Sequence, residues 1–123
     1  MKFISFNHDN SEKFGIIENN LITDLTGKID GALCLKELIK IKKIKEAKEY
    51  AESNPGSIKP DEIEYSPLIP NPGKIICVGL NYSEHVKETN RTVEENPVIF
   101  HRFSESQTAH MQAIQRPTVS ESL

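Results

Sequence analysis

Residues 66–73 read Ser66-Pro67-Leu68-Ile69-Pro70-Asn71-Pro72-Gly73, and no other segment limits the fold of this chain as strongly. Proline locks φ and has no N–H to donate, so neither a helix nor an inner strand runs through three of them. With Pro60 upstream, residues 57–72 read as a connector, and a domain boundary falls near residue 70. The chain is thereby divided into a small N-terminal domain, 1–70, and the start of a second domain, 71–123. About 50 residues are too few for a comfortable core of their own. The second segment is therefore expected to be incomplete. The chain reads as truncated, because Ser120-Glu121-Ser122-Leu123 carries no capping signal and no closing strand.

Hydrophobic residues make up 37% of the 123 and charged residues 27%, which excludes collagen-like, mucin-like and wholly disordered chains. No apolar run approaches the roughly 20 residues that span a bilayer. The opening Met1-Lys2-Phe3-Ile4-Ser5-Phe6-Asn7-His8 lacks the apolar core of a signal peptide. Fifteen basic against eighteen acidic residues give a net charge of −3, so no nucleic-acid partner is expected. The basic residues are mostly Lys; only Arg91, Arg102 and Arg116 offer the planar fork that grips a carboxylate. Cys34 and Cys77 form no CxxC and sit among apolar neighbours, so both read as small core residues of a reduced, cytoplasmic protein.

The N-terminal segment predicts a small sheet and a helix. Phe3, Ser5 and Asn7 alternate with Ile4 and Phe6, a half-buried strand. Residues 14–17 and 21–25 flank Glu18-Asn19-Asn20, and Asn tolerates left-handed backbone, so these read as a hairpin. From 32 to 53, Leu35, Leu38, Ile41, Ile44, Ala47 and Tyr50 recur at threes among Lys and Glu, predicting one amphipathic helix ended by Asn54-Pro55-Gly56. A membrane-surface role for this helix has to be weighed, but glutamates interleave its lysines and it has no Trp or Phe. Packing on the sheet is the better reading. In the second segment, residues 74–79 form a near-continuous apolar strand suited to burial on both faces. Residues 83–89 suit a short helix, 97–103 a second strand, and 104–123 are polar and poorly periodic. The predicted class is α+β, mainly β.

Chemistry concentrates just after the 74–79 strand, in Gly79-Leu80-Asn81-Tyr82-Ser83-Glu84-His85-Val86-Lys87-Glu88. On a helix, His85 and Glu88 are three apart and share a face. Such a pair can take a proton from water near neutral pH, the carboxylate fixing the imidazole tautomer. The same spacing also describes an ordinary surface ion pair, and spacing alone favours that. His101 and Arg102 alternate on a strand, so only one of them can face a site. His110 and Gln112 lie in a loop-like stretch, and His8 is expected to face solvent near a turn. His85, His101 and His110 fit no compact zinc spacing, and no HExxH, GxGxxG, P-loop or GxSxG is present.

The run Pro72-Gly73-Lys74-Ile75-Ile76-Cys77-Val78-Gly79-Leu80-Asn81-Tyr82-Ser83-Glu84-His85-Val86-Lys87-Glu88 resembles the opening of the catalytic domain of the fumarylacetoacetate hydrolase family. It matches G-x-N-Y-x-x-H-x-x-E at every specified position. Pro97-Val98-Ile99-Phe100-His101-Arg102 is similar to the next family element, a Pro-x-x-Phe-x-Lys/Arg strand, and residues 102–121 to the loop that follows it. Residues 1–70 resemble, more loosely, the family's small N-terminal domain. The resemblance implies the first strands and lid helix of a mixed β-roll. It implies an enzyme that uses Mg²⁺ or Mn²⁺ on 2-oxo or β-diketo acids, by C–C hydrolysis, decarboxylation, hydration or isomerisation. His85 and Glu88 would then be the lid-helix dyad that activates water or shuttles a proton. Arg102 would bind the acidic substrate, with His110 and Gln112 on the loop at its entrance. Homodimers are common in the family.

Two departures accompany the match. Ala109 and Met111 stand where the family's loop usually has glycines. The family's acidic metal ligands lie in an Asp-Tyr-Glu-x-Glu-like stretch expected downstream of Leu123, so the family pattern assigns no metal ligand within these residues. Without the metal, little turnover is expected of this chain. An alternative from another class is a non-catalytic remnant that associates with a full-length relative, exposing apolar surface along 75–78 and 98–100.

Overall fold

The computed structural model describes residues 1–79, 81 and 96–121. Its chain divides into two compact units, one of residues 1–70 with 108–123 and the other of residues 71–107.

The first unit is built on a four-stranded antiparallel sheet: β1 (Lys2–His8), β2 (Ser11–Glu18), β3 (Leu21–Asp24) and β4 (Glu64–Ser66), in the order β3-β2-β1-β4. Both hairpins use two-residue turns. Asp9, Asn10, Asn19 and Asn20 all have positive φ, between 49° and 62°, as type I′ turns require. Asn and Asp reach this region at the lowest cost of any residues but glycine. The Asn19-Asn20 hairpin is the one the sequence predicts. The Asp9-Asn10 turn extends β2 back to Ser11, three residues earlier than its apolar pattern suggests. Gly15 is needed in β2, because a Cβ there would run into the Thr23 carbonyl of β3.

The predicted half-buried β1 is instead covered on both faces in its middle, with Ser5 and Phe6 both buried. The Ser5 hydroxyl donates to the Leu68 carbonyl at 2.8 Å, which satisfies the one polar side chain buried there. On the face shared by Phe3, Phe14 and Ile16, the core takes in Leu25, Ile29, Ala32, Leu35, Leu38, Ala47 and Ala51.

The predicted single helix over 32–53 is two: α1 (Leu35–Lys40) and α2 (Ile44–Ser53). At about 100° per residue, a strict spacing of three drifts by roughly 60° at each step, so one continuous helix would carry those apolar residues around all its sides. The break resets the phase. Lys43 N donates to Leu38 O at 3.2 Å and Lys42 N to Ile39 O at 3.1 Å, with Lys42 at φ 60°. This is a Schellman closure with lysine at the position glycine usually takes. Leu35, Leu38, Ala47 and Ala51 then face the core, while Ile41 at the break is exposed. No helix among the described residues is long and apolar enough to cross a membrane.

The second unit holds β5 (Ile75–Gly79) and β6 (Val98–Arg102), paired antiparallel with Cys77 opposite Phe100. The expectation that residues 74–79 are buried on both faces is not met. Burial alternates, and Ile76 is 64% exposed and Val78 48%. A two-stranded ribbon covers neither of its own faces. Cys77 and Cys34 are half-buried free thiols rather than core residues, and Cys34 stands at the N-cap position of α1 with no side-chain bond to the helix.

Candidate functional site

His85 and Glu88, the predicted dyad, lie outside the described residues. Arg102 ends β6 opposite Ile75, on the strand face away from His101. Its side chain is exposed, and Nη2 donates to the Ser106 carbonyl at 3.0 Å. Ser106 Oγ in turn donates to the Phe103 carbonyl at 2.6 Å. The turn at residues 104–106 therefore steadies the guanidinium, which has five N–H donors and uses one in this bond. His101, on the other face, stacks edge-on against Phe103 at 5.6 Å.

His110 and Gln112 belong to the first unit, where residues 108–112 pack beside β4. Gln112 Oε1 accepts from Ala109 N at 3.2 Å, and Nε2 lies 3.3 Å from Glu64 Oε1 and 3.4 Å from the Tyr65 carbonyl. With Gln112 N donating to Ala109 O at 3.2 Å, the side chain closes a turn and ties it to β4. His110 meets the Tyr65 ring edge-on at a centroid distance of 5.0 Å. Ala109 is buried, and Met111 takes φ 65°. Met111, at a position where the resemblance leads one to expect glycine, thus lies in left-handed backbone, a conformation glycine adopts without penalty.

Lys2, Tyr65, Ser66 and Thr108 join His110 around a cleft of about 490 Å³ in the first unit. Sequence reasoning singled out none of those four, because no local pattern links residue 2 to residues 65 and 108. His8 is half-buried rather than solvent-facing; its Nδ1 has no hydrogen bond, and Asp9 Oδ2 lies 3.4 Å away. Among the described residues, no three His, Cys, Asp or Glu side chains converge as a metal site would require. These residues by themselves do not fit the divalent ion that the resemblance implies.

The clearest ionic site is structural. Asp24 Oδ2 pairs with Lys13 Nζ at 2.9 Å, and Oδ1 accepts from Thr26 N at 2.8 Å. Partial burial opposes ionisation of this carboxyl, but the bonds from Lys13 and Thr26 outweigh it and hold Asp24 below the usual carboxylate range.

Residues 74–123 match the family model described as fumarylacetoacetate (FAA) hydrolase C-terminal. The chain belongs to the fumarylacetoacetate hydrolase family. The relatives that it matches include the mitochondrial oxaloacetate tautomerase fahd2 of Xenopus laevis, 36% identical over 75 residues, 61% of this chain and 24% of that protein. Oxaloacetate tautomerase Fahd2a of Rattus norvegicus is 44% identical over 45 residues, 37% of this chain and 14% of the relative. Protein MJ1656 of Methanocaldococcus jannaschii is 35% identical over 86 residues, 68% of this chain and 35% of its own length. A crystal structure designated an HpcE protein, from Mycobacterium smegmatis, superimposes with a TM-score of 0.67 at 21% identity, covering 93% of this chain and 40% of the other. That likeness bears on the fold, which is α+β and mainly β. The matched segments thus span well under half of each relative's length.

Proposed function

We propose that this chain is the N-terminal part of a divalent-metal-dependent enzyme that acts on a 2-oxo or β-diketo dicarboxylic acid by C–C hydrolysis, isomerisation or decarboxylation. The observation that carries the reading is the family match over residues 74–123, which contains Gly79, Asn81, Tyr82, His85 and Glu88 at the motif spacing. His85 is the general base and Glu88 its orienting carboxylate. Arg102 holds a substrate carboxylate through its N–H fork, and His110 and Gln112 sit on the loop at the substrate entrance. The metal, Mg²⁺ or Mn²⁺, would polarise the oxo group when bound, and the family pattern assigns none of its ligands among these residues. The names of two relatives favour proton transfer at the carbon beside a ketone. The free thiols of Cys34 and Cys77 suit a reducing, cytoplasmic setting. By the family resemblance, the complete enzyme is a homodimer.

The test is turnover of oxaloacetate and related keto acids by the complete enzyme with Mg²⁺. His85→Ala should lower kcat by about 10² or more. Unchanged turnover in that variant would overturn the assignment.

One observation favours a second reading, a non-catalytic module that associates with another chain. Ile76, Val78 and Ile99 lie on one face of the β5–β6 ribbon, all exposed, with Phe103 just beyond. Binding of this chain to a full-length relative, without effect on that relative's turnover, would support it.

A further inference from the structure

We propose that the cleft beside β1 and β4 in the first unit binds a small organic anion with an apolar body. The cleft follows from a mismatch in strand length. β1 runs from Lys2, but β4 pairs only with Ser5, Phe6 and Asn7 and stops at Ser66, because Pro67 has no N–H to continue the ladder. Beside Phe3 and Ile4 the sheet edge is therefore left open, and the cleft forms there. At about 490 Å³ it lies within the roughly 300–1,000 Å³ of small-molecule sites.

Phe3, Ile4, Ile17, Leu68 and the Tyr65 ring supply apolar surface for the body of a ligand. The polar side chains on the same lining are Lys2, His110, Ser66, Thr108, Tyr65 with its hydroxyl, and Ser5, whose own hydroxyl is taken up by the Leu68 carbonyl. None of the lining residues is acidic, in a chain with 18 acidic against 15 basic residues. A second cleft of the same unit is lined by Asp9, Glu12, Glu62 and Glu64, so acidic groups gather elsewhere. Donors and a cation beside apolar surface, with no carboxylate to repel a guest, select an anion over a cation or a neutral polyol. The Gln112 bonds to Ala109, Glu64 and Tyr65 hold residues 108–110 in place as one side of the lining. Gln112 thereby acts as a positioning residue for the cleft.

This inference does not rest on the proposed catalysis, and the two share His110 and Gln112 alone. Its test is binding, read from amide shifts of Phe3, Ile4 and Thr108 as the full chain is titrated with benzoate. Benzyl alcohol serves as the neutral comparator and acetate as the anion without an apolar body. Benzoate should shift these amides and bind more tightly than either. Lys2→Met should weaken benzoate about fivefold, whereas Lys48→Met, the same change of charge on an exposed residue of α2, should not. Equal affinity for benzyl alcohol or for acetate, equal weakening by both substitutions, or benzoate shifts confined to other residues would each overturn the proposal. None of these outcomes bears on turnover by His85 variants, so the two readings fail separately.

Discussion

Asp24 shows how a single residue can link two strands and a turn. It accepts from Lys13 on β2 and from the Thr26 amide, and the Thr26 hydroxyl in turn accepts from Phe14 N at 3.1 Å. Because its folded-state pKa is lowered, its contribution to stability is fully present above the unfolded value and is lost as pH falls through the folded one. Asp24→Asn should therefore destabilise the chain at neutral pH and flatten the acid limb of its stability curve. Urea midpoints measured from about pH 6 down to about pH 2 would check this. An unchanged acid limb would contradict it. Met111 illustrates the opposite case, in which chemistry legible in the sequence acquires its meaning from the backbone. Its departure from glycine was visible at once, but the φ of 65° is what makes that departure a strain.

At the level of elements, the three-residue spacing over 35–50 marked residues that reach the core, Ile41 excepted, but the wrong helix. Periodicity identifies which side chains seek the core, and Leu35, Leu38 and Ala47 are buried as it implies. It does not register that the backbone must turn between them to bring all three to one surface. The turn itself is set by bonds to Leu38 and Ile39 that demand a left-handed residue, and Lys42 supplies it against its preference. Lys42→Gly should stabilise the protein by about 0.5–1 kcal/mol, the relief of that strain less the added freedom of glycine in the unfolded chain. Thermal unfolding measures it; a lowered midpoint would mean that Lys42 makes a contact worth more than the strain. The hairpin at Asn19-Asn20 was readable for the same reason that the helix break was not. Paired asparagines announce a left-handed turn, whereas a lysine does not.

For the molecule as a whole, the apolar face of the β5–β6 ribbon is the feature with the plainest consequence. Ile99 is 55% exposed and Phe103 72%, beside Ile76 and Val78. Grouped surface of this kind drives association. The 123-residue chain should therefore self-associate at micromolar concentration, and Ile76→Ser with Ile99→Ser should reduce its mass measured by light scattering towards 13.9 kDa. A wild-type chain that stays monomeric at high concentration would refute this.

Local sequence was not enough for β4, which lies within the segment read as a connector. It was enough for β1, β2, β3, β5 and β6, the Asn-Asn hairpin, the inward residues of the helices except Ile41, and the family motif around His85 and Glu88. Each of these is written in neighbours along the chain, through periodicity, φ preference or a run of specified residues. Tertiary structure alone decided that residues 108–112 join the first unit, that Lys2, Tyr65 and His110 share one cleft, and that β5 keeps an exposed face. Those outcomes rest on pairs far apart in sequence, such as Ser5 with Leu68 and Gln112 with Glu64. They form only where two distant surfaces match in shape and hydrogen bonding, and no local pattern records that match.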